Sequence, residues 1–160
     1  MSFSGALAGG FVGTLVLTTL LRAASELRLT RIDLPFLLGT IVTADRLRAK
    51  AIGYLLHFFF GFFFALGYYA VFRALGRAGW FLGAALGLVH GVFTASALVN
   101  VLLPVVHPRM GTPLSTIDSE TLIEPPGFLM LNYGRGSPLA SLVAHVAYGA
   151  LVGGLSALGH

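Results

Sequence analysis

Four apolar stretches, each about as long as a bilayer is thick, constrain this chain more than any other feature. They cover approximately residues 2–21, 51–72, 79–103 and 138–158, and none of them contains an Asp, Glu, Lys or Arg. A helix needs ~20 apolar residues to cross ~30 Å of hydrocarbon. Only 10% of the 160 residues are charged, against roughly a quarter in a soluble domain. The sequence therefore predicts an all-α integral membrane protein, a bundle of four transmembrane helices in one membrane domain.

The connections predict how the bundle is oriented. Two long loops, 22–50 and 104–137, lie on one side of a four-helix arrangement, and a short turn with Arg73 and Arg77 lies on the other. The long loops hold the remaining basic residues, namely Arg22, Arg28, Arg31, Arg46, Arg48, Lys50, Arg109 and Arg135. The positive-inside rule then places both loops in the cytoplasm and both termini outside. The expected partner of this charge is anionic lipid rather than nucleic acid.

The first long loop contains a short apolar segment, residues 34–42, with Pro35 and Gly39 inside it. Nine residues are too few to span a bilayer. We expect this segment to lie in the membrane interface or against the bundle.

An internal repeat is indicated by a histidine flanked by small residues four positions away. It occurs as Gly53-Tyr54-Leu55-Leu56-His57-Phe58-Phe59-Phe60-Gly61 and again as Ser141-x-x-x-His145-x-x-x-Gly149. The first and third stretches share a second pattern, with glycines at 5, 9 and 13 and at 83, 87 and 91. A weaker match continues into the loops, as Leu38-Gly39-Thr40 and Met110-Gly111-Thr112. Together these patterns predict two tandem helix hairpins related by a pseudo-two-fold axis along the membrane normal.

The polar residues of the helices are predicted to gather near the cytoplasmic side. At ~1.5 Å per residue, His57 and His145 each lie ~10 Å from that end of their helices. Asn100 returns to the same side, and His90 lies near the midplane. Since ionisable residues at membrane depth are costly and are usually functional, we expect a ligand pocket formed by His57, His145, Asn100 and His90. Packing is the expected role of the small residues around it, which are Gly53, Gly61, Gly83, Gly87, Gly91 and Gly149.

Two cofactors fit this pattern. A haem b bridged by two imidazoles would use the matched depth of the histidines, with Arg46, Arg48 or Arg109 beside its propionates. A metal ion would draw on His57, His145 and His107, together with Asp33 or Glu124. The chain has no cysteine, which excludes thiolate metal sites and thiol nucleophiles.

Two other functions remain open. In a structural or accessory subunit of a membrane complex, or in a homo-oligomer, the histidines would only tie loops to the bundle. In a transporter of protons or small solutes, His90 and His57 would be successive binding positions. Catalysis is not expected, because no carboxylate within the membrane is available to orient His145 beside Ser141.

Three short motifs resemble a known family. They are Gly53-Tyr54-x-x-His57-Phe58-x-x-Gly61-x-x-x-Ala65, Pro108-x-Met110-Gly111 and His145-x-x-Tyr148-Gly149. Their combination resembles a family of small bacterial four-helix membrane proteins that is known only as a domain of unknown function. The resemblance implies a four-helix fold in the bacterial inner membrane and carries no activity with it.

Overall fold

A computed structural model of the protein describes residues 1–111 and 123–158. Its helices are α1 (Phe3–Glu26), α2 (Leu34–Gly39), α3 (Arg46–Leu75), α4 (Trp80–Phe93), a π-helical segment (Thr94–Leu102), α5 (Leu103–Val106), a 3₁₀ helix (Phe128–Tyr133) and α6 (Ser137–Leu158). No strand occurs in this part of the chain beyond an isolated bridge between Met110 and Ile123. Thr112, the last residue of the weak loop repeat, lies outside the described residues.

Four helices are long and apolar enough to cross a membrane, namely α1, α3, α6 and the continuous run Trp80–Val106. The predicted set of four long apolar helices is therefore confirmed. Both helices flanking the first long loop extend further into it than the predicted spans. α3 starts at Arg46 because the Asp45 side chain accepts a hydrogen bond from the Arg48 amide, at 2.8 Å, and such a cap stabilises a first turn that hydropathy does not detect.

Helix α6 lies between α1 and α4 and contacts both of them closely. A Cβ atom added to Gly9 of α1 would lie 2.6 Å from the Val152 Cα of α6. On the other side, a Cβ atom on Gly87 of α4 would lie 2.3 Å from the His145 carbonyl oxygen. Only glycine permits such an approach between helix backbones. The two matching glycine stripes thus have the same packing partner.

The short helix α2 packs against the first turns of α3. Cβ atoms on Gly39 and on Gly53 would each lie 1.6 Å from a carbonyl oxygen, that of Ala49 and that of Pro35 respectively. The segment predicted at 34–42 therefore lies against the bundle through α2. The contact with Pro35 fills the space beside Gly53, which is the first residue of the histidine repeat.

The third long helix changes from α to π geometry over Thr94–Leu102, immediately before Pro104. In α geometry the Pro104 ring would clash with the carbonyl of Asn100, four residues earlier. The wider π turn relieves this clash, since the Leu103 amide reaches back five residues to the Leu98 carbonyl. Asn100 thereby sits within the π segment.

The contact between α4 and α6 predicts a strong difference between two glycines. Gly87→Ala should lower the free energy of unfolding by about 1–3 kcal/mol, because the new methyl group meets the α6 backbone. Gly67→Ala is the matched control, since a Cβ atom there meets nothing within 4 Å; it should leave stability unchanged or raise it slightly. Unfolding by denaturant in detergent micelles measures both, and equal stabilities for the two variants would contradict the packing described.

Candidate functional site

His57 lies on α3, two turns in from Lys50, on the side of the bundle that carries the long loops. Its side chain is buried, with 8% of the residue exposed. Among the described residues its Nε2 atom has no hydrogen-bond partner. A buried polar atom without a partner costs about 1–3 kcal/mol, and native structures leave few such atoms unexplained.

A cavity of about 300 Å³ adjoins this imidazole. Its walls come from α1, from the start of α2 and from α3, and its lining residues are Thr18, Leu21, Arg22, Ser25, Glu26, Ile32, Asp33, Leu34, Pro35, Lys50, Tyr54 and His57. Lys50, Tyr54 and His57 follow one face of α3, so that the cavity extends ~10 Å along that helix. We call this space the His57 cavity.

Two ion pairs lie at the outer end of the His57 cavity. Arg22 pairs with Glu26 at 2.7 Å on α1, and Lys50 of α3 pairs with Asp33 at 2.9 Å. Asp33 also caps α2, because its Oδ1 accepts a hydrogen bond from the Phe36 amide. All four charged side chains are at least 43% exposed, and ion pairs of this kind contribute only about 0–1 kcal/mol. Their charges therefore remain available to a ligand.

His145 and His90 lie in a different environment, a packed aromatic cluster. The Nδ1 atom of His145 donates to the Ser141 carbonyl at 2.8 Å. The two imidazole centroids are 4.8 Å apart, and His90 also packs on Phe64 at 4.0 Å. The Tyr68 hydroxyl lies 3.3 Å from His90 Nδ1. Both rings thus have partners, and neither ring lines the His57 cavity.

The space beside the glycines around the histidines is filled by neighbouring elements. Gly53 lies against Pro35, Gly61 against the Thr14 side chain, and Gly83 and Gly149 against each other's carbonyl oxygens. Gly91 meets the side chains of Leu142 and His145. These five glycines, together with Gly87, therefore serve packing and leave no gap for a macrocycle at their positions.

The residues proposed as metal ligands are not brought together. Within residues 1–111 and 123–158, no three His, Asp or Glu side chains converge closely enough to hold a metal ion. The physical reason is that His107 is held at the loops by α2, away from the helix interior. Asn100, on the π segment, is likewise absent from the lining of the His57 cavity.

His107 ties the second long loop to the first. Its Nδ1 accepts a hydrogen bond from the Arg109 amide at 3.2 Å, so its proton lies on Nε2, which donates to the Leu37 carbonyl at 3.1 Å. Arg109 adds a hydrogen bond from Nη1 to the Thr40 carbonyl, at 2.8 Å. Burial lowers the pKa of His107, and the Arg109 cation acts in the same direction. His107 therefore ties one loop to the other, which is the role expected of the histidines in a structural or accessory subunit.

Of the charged residues at the outer end of the His57 cavity, the sequence indicated only Asp33 as a site residue, and it did so as a metal ligand. A partial signal was present, because Lys50, Tyr54 and His57 have the i, i+4, i+7 spacing of one helix face. Nothing in the local sequence indicated that Asp33 would lie beside Lys50, since that contact depends on how α2 packs against α3.

No protein-family model, curated protein sequence or solved structure matches this chain. The site is therefore interpreted from its own geometry.

The hydrogen bonds of His107 predict a pH-dependent contribution to stability. The lowered pKa in the folded state means that this contribution is complete above the unfolded value of about 6.5 and is lost as the pH falls below it. We expect the wild type to be more stable than His107→Gln by about 1 kcal/mol at pH 8 and to lose this advantage towards pH 5. Because both proteins contain every other histidine, the difference between their unfolding free energies isolates His107. A difference that stays constant over this range would contradict the assignment.

Proposed function

We propose that the chain is a multi-pass protein of the bacterial inner membrane, with both long loops in the cytoplasm and both termini outside. The four long apolar helices and the basic loops support this proposal. We further propose that it arose from two tandem hairpins, which the repeated histidine and glycine patterns support. The resemblance to the family of small four-helix membrane proteins belongs to the same proposal.

Within that setting, the function that the geometry favours is ligand binding. A small polar or amphiphilic molecule would occupy the His57 cavity and contact the imidazole. Two observations on His57 carry this proposal: its side chain lines a space of about 300 Å³, and its buried Nε2 atom has no hydrogen-bond partner among the described residues. Eight of the twelve residues that line the cavity are polar or charged, which favours a polar ligand.

The contrast with the other histidines supports binding over a purely structural role. His107 and His145 have hydrogen-bond partners from the protein itself. His57 has none for Nε2 among the described residues, although its burial is similar. A histidine with a structural role forms a hydrogen bond from this nitrogen to another part of the chain. A histidine that binds a ligand keeps the nitrogen free for a hydrogen bond with the ligand.

An organic ligand fits this cavity better than the two cofactors considered from the sequence. A metal ion would need further donors, and the described residues do not supply a group of three. A haem would need space that the packed glycines do not leave. An absorption spectrum and metal analysis of the purified protein test these two alternatives separately.

Two adjacent threonines of α1 allow a direct test of binding. Thr18 lines the cavity and Thr19 faces outward, and each hydroxyl donates to the carbonyl four residues earlier, at 2.7 and 2.8 Å. Thr18→Phe should fill the cavity, whereas Thr19→Phe makes the same change on the outer surface. We expect native mass spectrometry of protein released from bacterial membranes to show a bound small molecule on the wild type and on Thr19→Phe, and at least tenfold less on Thr18→Phe.

Equal retention by all three proteins, or no bound molecule on the wild type, would overturn the proposal. Thermal unfolding of each variant accompanies the measurement, so that lost binding is interpreted only for folded protein. Should Thr18→Phe fail to fold, Ser25→Phe blocks the same cavity nearer its outer end.

A further inference from the structure

We infer that the ligand of the His57 cavity carries a primary ammonium and a phosphate, as the ethanolamine phosphate group does. This inference rests on the proposed binding function and specifies its substrate class. It is carried by the two ion pairs, which bring two cations and two anions to one small cavity.

The pairs present both signs of charge to whatever occupies the cavity. Arg22 and Glu26 lie on α1. Lys50 lies on α3, and its partner Asp33 caps α2. Since an arginine has five N–H donors and a lysine three, each cation has donors left beyond its contact with the paired carboxylate. The carboxylates likewise accept more than one hydrogen bond.

Electrostatics then discriminates between ligand classes. A purely anionic ligand would meet Glu26 and Asp33, and a purely cationic one would meet Arg22 and Lys50. Like-charge repulsion would lower the affinity of the cavity for both of these ligand classes. A ligand with both charges places its phosphate at the cations and its ammonium at the carboxylates, where charge-assisted hydrogen bonds contribute about 1.5–3 kcal/mol.

The volume and the depth of the His57 cavity agree with an ethanolamine phosphate group as its ligand. A volume of about 300 Å³ corresponds to roughly ten water molecules, which is enough room for an ethanolamine phosphate group. The ion pairs lie near the helix ends, at the level of lipid headgroups in the proposed orientation. Tyr54, 42% exposed, lines the cavity one turn further in, and tyrosine is typical of that interface. His57 lies deeper still, ~10 Å along α3 from Lys50.

Two sources supply this chemistry, a phosphatidylethanolamine of the membrane or free ethanolamine phosphate from the cytoplasm. The test compares the purified wild type in nanodiscs that contain phosphatidylethanolamine, phosphatidylcholine or phosphatidylglycerol, and measures by native mass spectrometry how much lipid remains bound after release. Phosphatidylcholine keeps the phosphate but has no N–H donor, and phosphatidylglycerol lacks the ammonium. We expect at least tenfold more retained phosphatidylethanolamine than either other lipid.

Two matched variants assign the preference to the cavity. Glu26→Gln should abolish the advantage of phosphatidylethanolamine over phosphatidylcholine. Glu124→Gln also removes a carboxylate from an exposed pair with an arginine, here Arg31 at 3.4 Å, but lies outside the cavity lining and should leave the preference intact. Arg22→Gln should weaken all three lipids alike, because each has a phosphate.

Displacement of bound lipid by free ethanolamine phosphate at equal concentration would identify the soluble molecule as the ligand, within the same chemistry. Equal retention of the three lipids, or a preference for phosphatidylglycerol, would overturn the inference while the loss of binding in Thr18→Phe still supported a ligand site. Retention that is insensitive to Thr18→Phe would overturn both.

Discussion

The fold depends on how closely α6 approaches its two neighbours. In the membrane setting proposed above, the hydrophobic effect does not drive helices together, so association rests on backbone packing and hydrogen bonds between helices. The glycines of α1 and α4 allow that packing, for example at Gly9 against Val152 and at Gly87 against the His145 carbonyl. Because α6 is held on both sides, the side chains that face its two neighbours are buried. His145 is buried for this reason, and its nearest hydrogen-bond acceptor is the preceding turn of its own helix.

The histidines acquire different roles from their positions relative to that packing. His107 lies outside the helices and joins the two long loops through Leu37 and Arg109. His90 and His145 pack against aromatic rings. His57 lies where α2 and the first long loop cover the space between α1 and α3, and that space is not filled. The same residue type therefore serves as a loop tie, as a packed core group and as the proposed contact for a ligand.

Much of the fold follows from the sequence, whereas the site follows only in part. Hydropathy alone identifies four helices, because charge-free stretches of such length have few other stable forms. The glycine spacing predicts close packing at Gly83 and Gly87, but it does not show which helix is the partner. His57 was predicted as a site residue from its depth. Asn100 and His145 were grouped with it on the same basis, and depth says nothing about which side of a helix faces which neighbour. The outer end of the cavity depends on the packing of α2 against α3, which brings Asp33 to Lys50.

The central claim is that His57 receives its missing hydrogen bond from a ligand in the cavity. Solid-state NMR of protein labelled with ¹⁵N in its histidine rings observes that nitrogen directly, with His57→Gln assigning the signal. The account predicts that the ¹⁵N shift of His57 Nε2 in protein that retains its bound molecule is that of a hydrogen-bonded nitrogen, and that it moves when the molecule is removed, while the His107 and His145 signals stay in place. A His57 signal that is the same in both samples would contradict it.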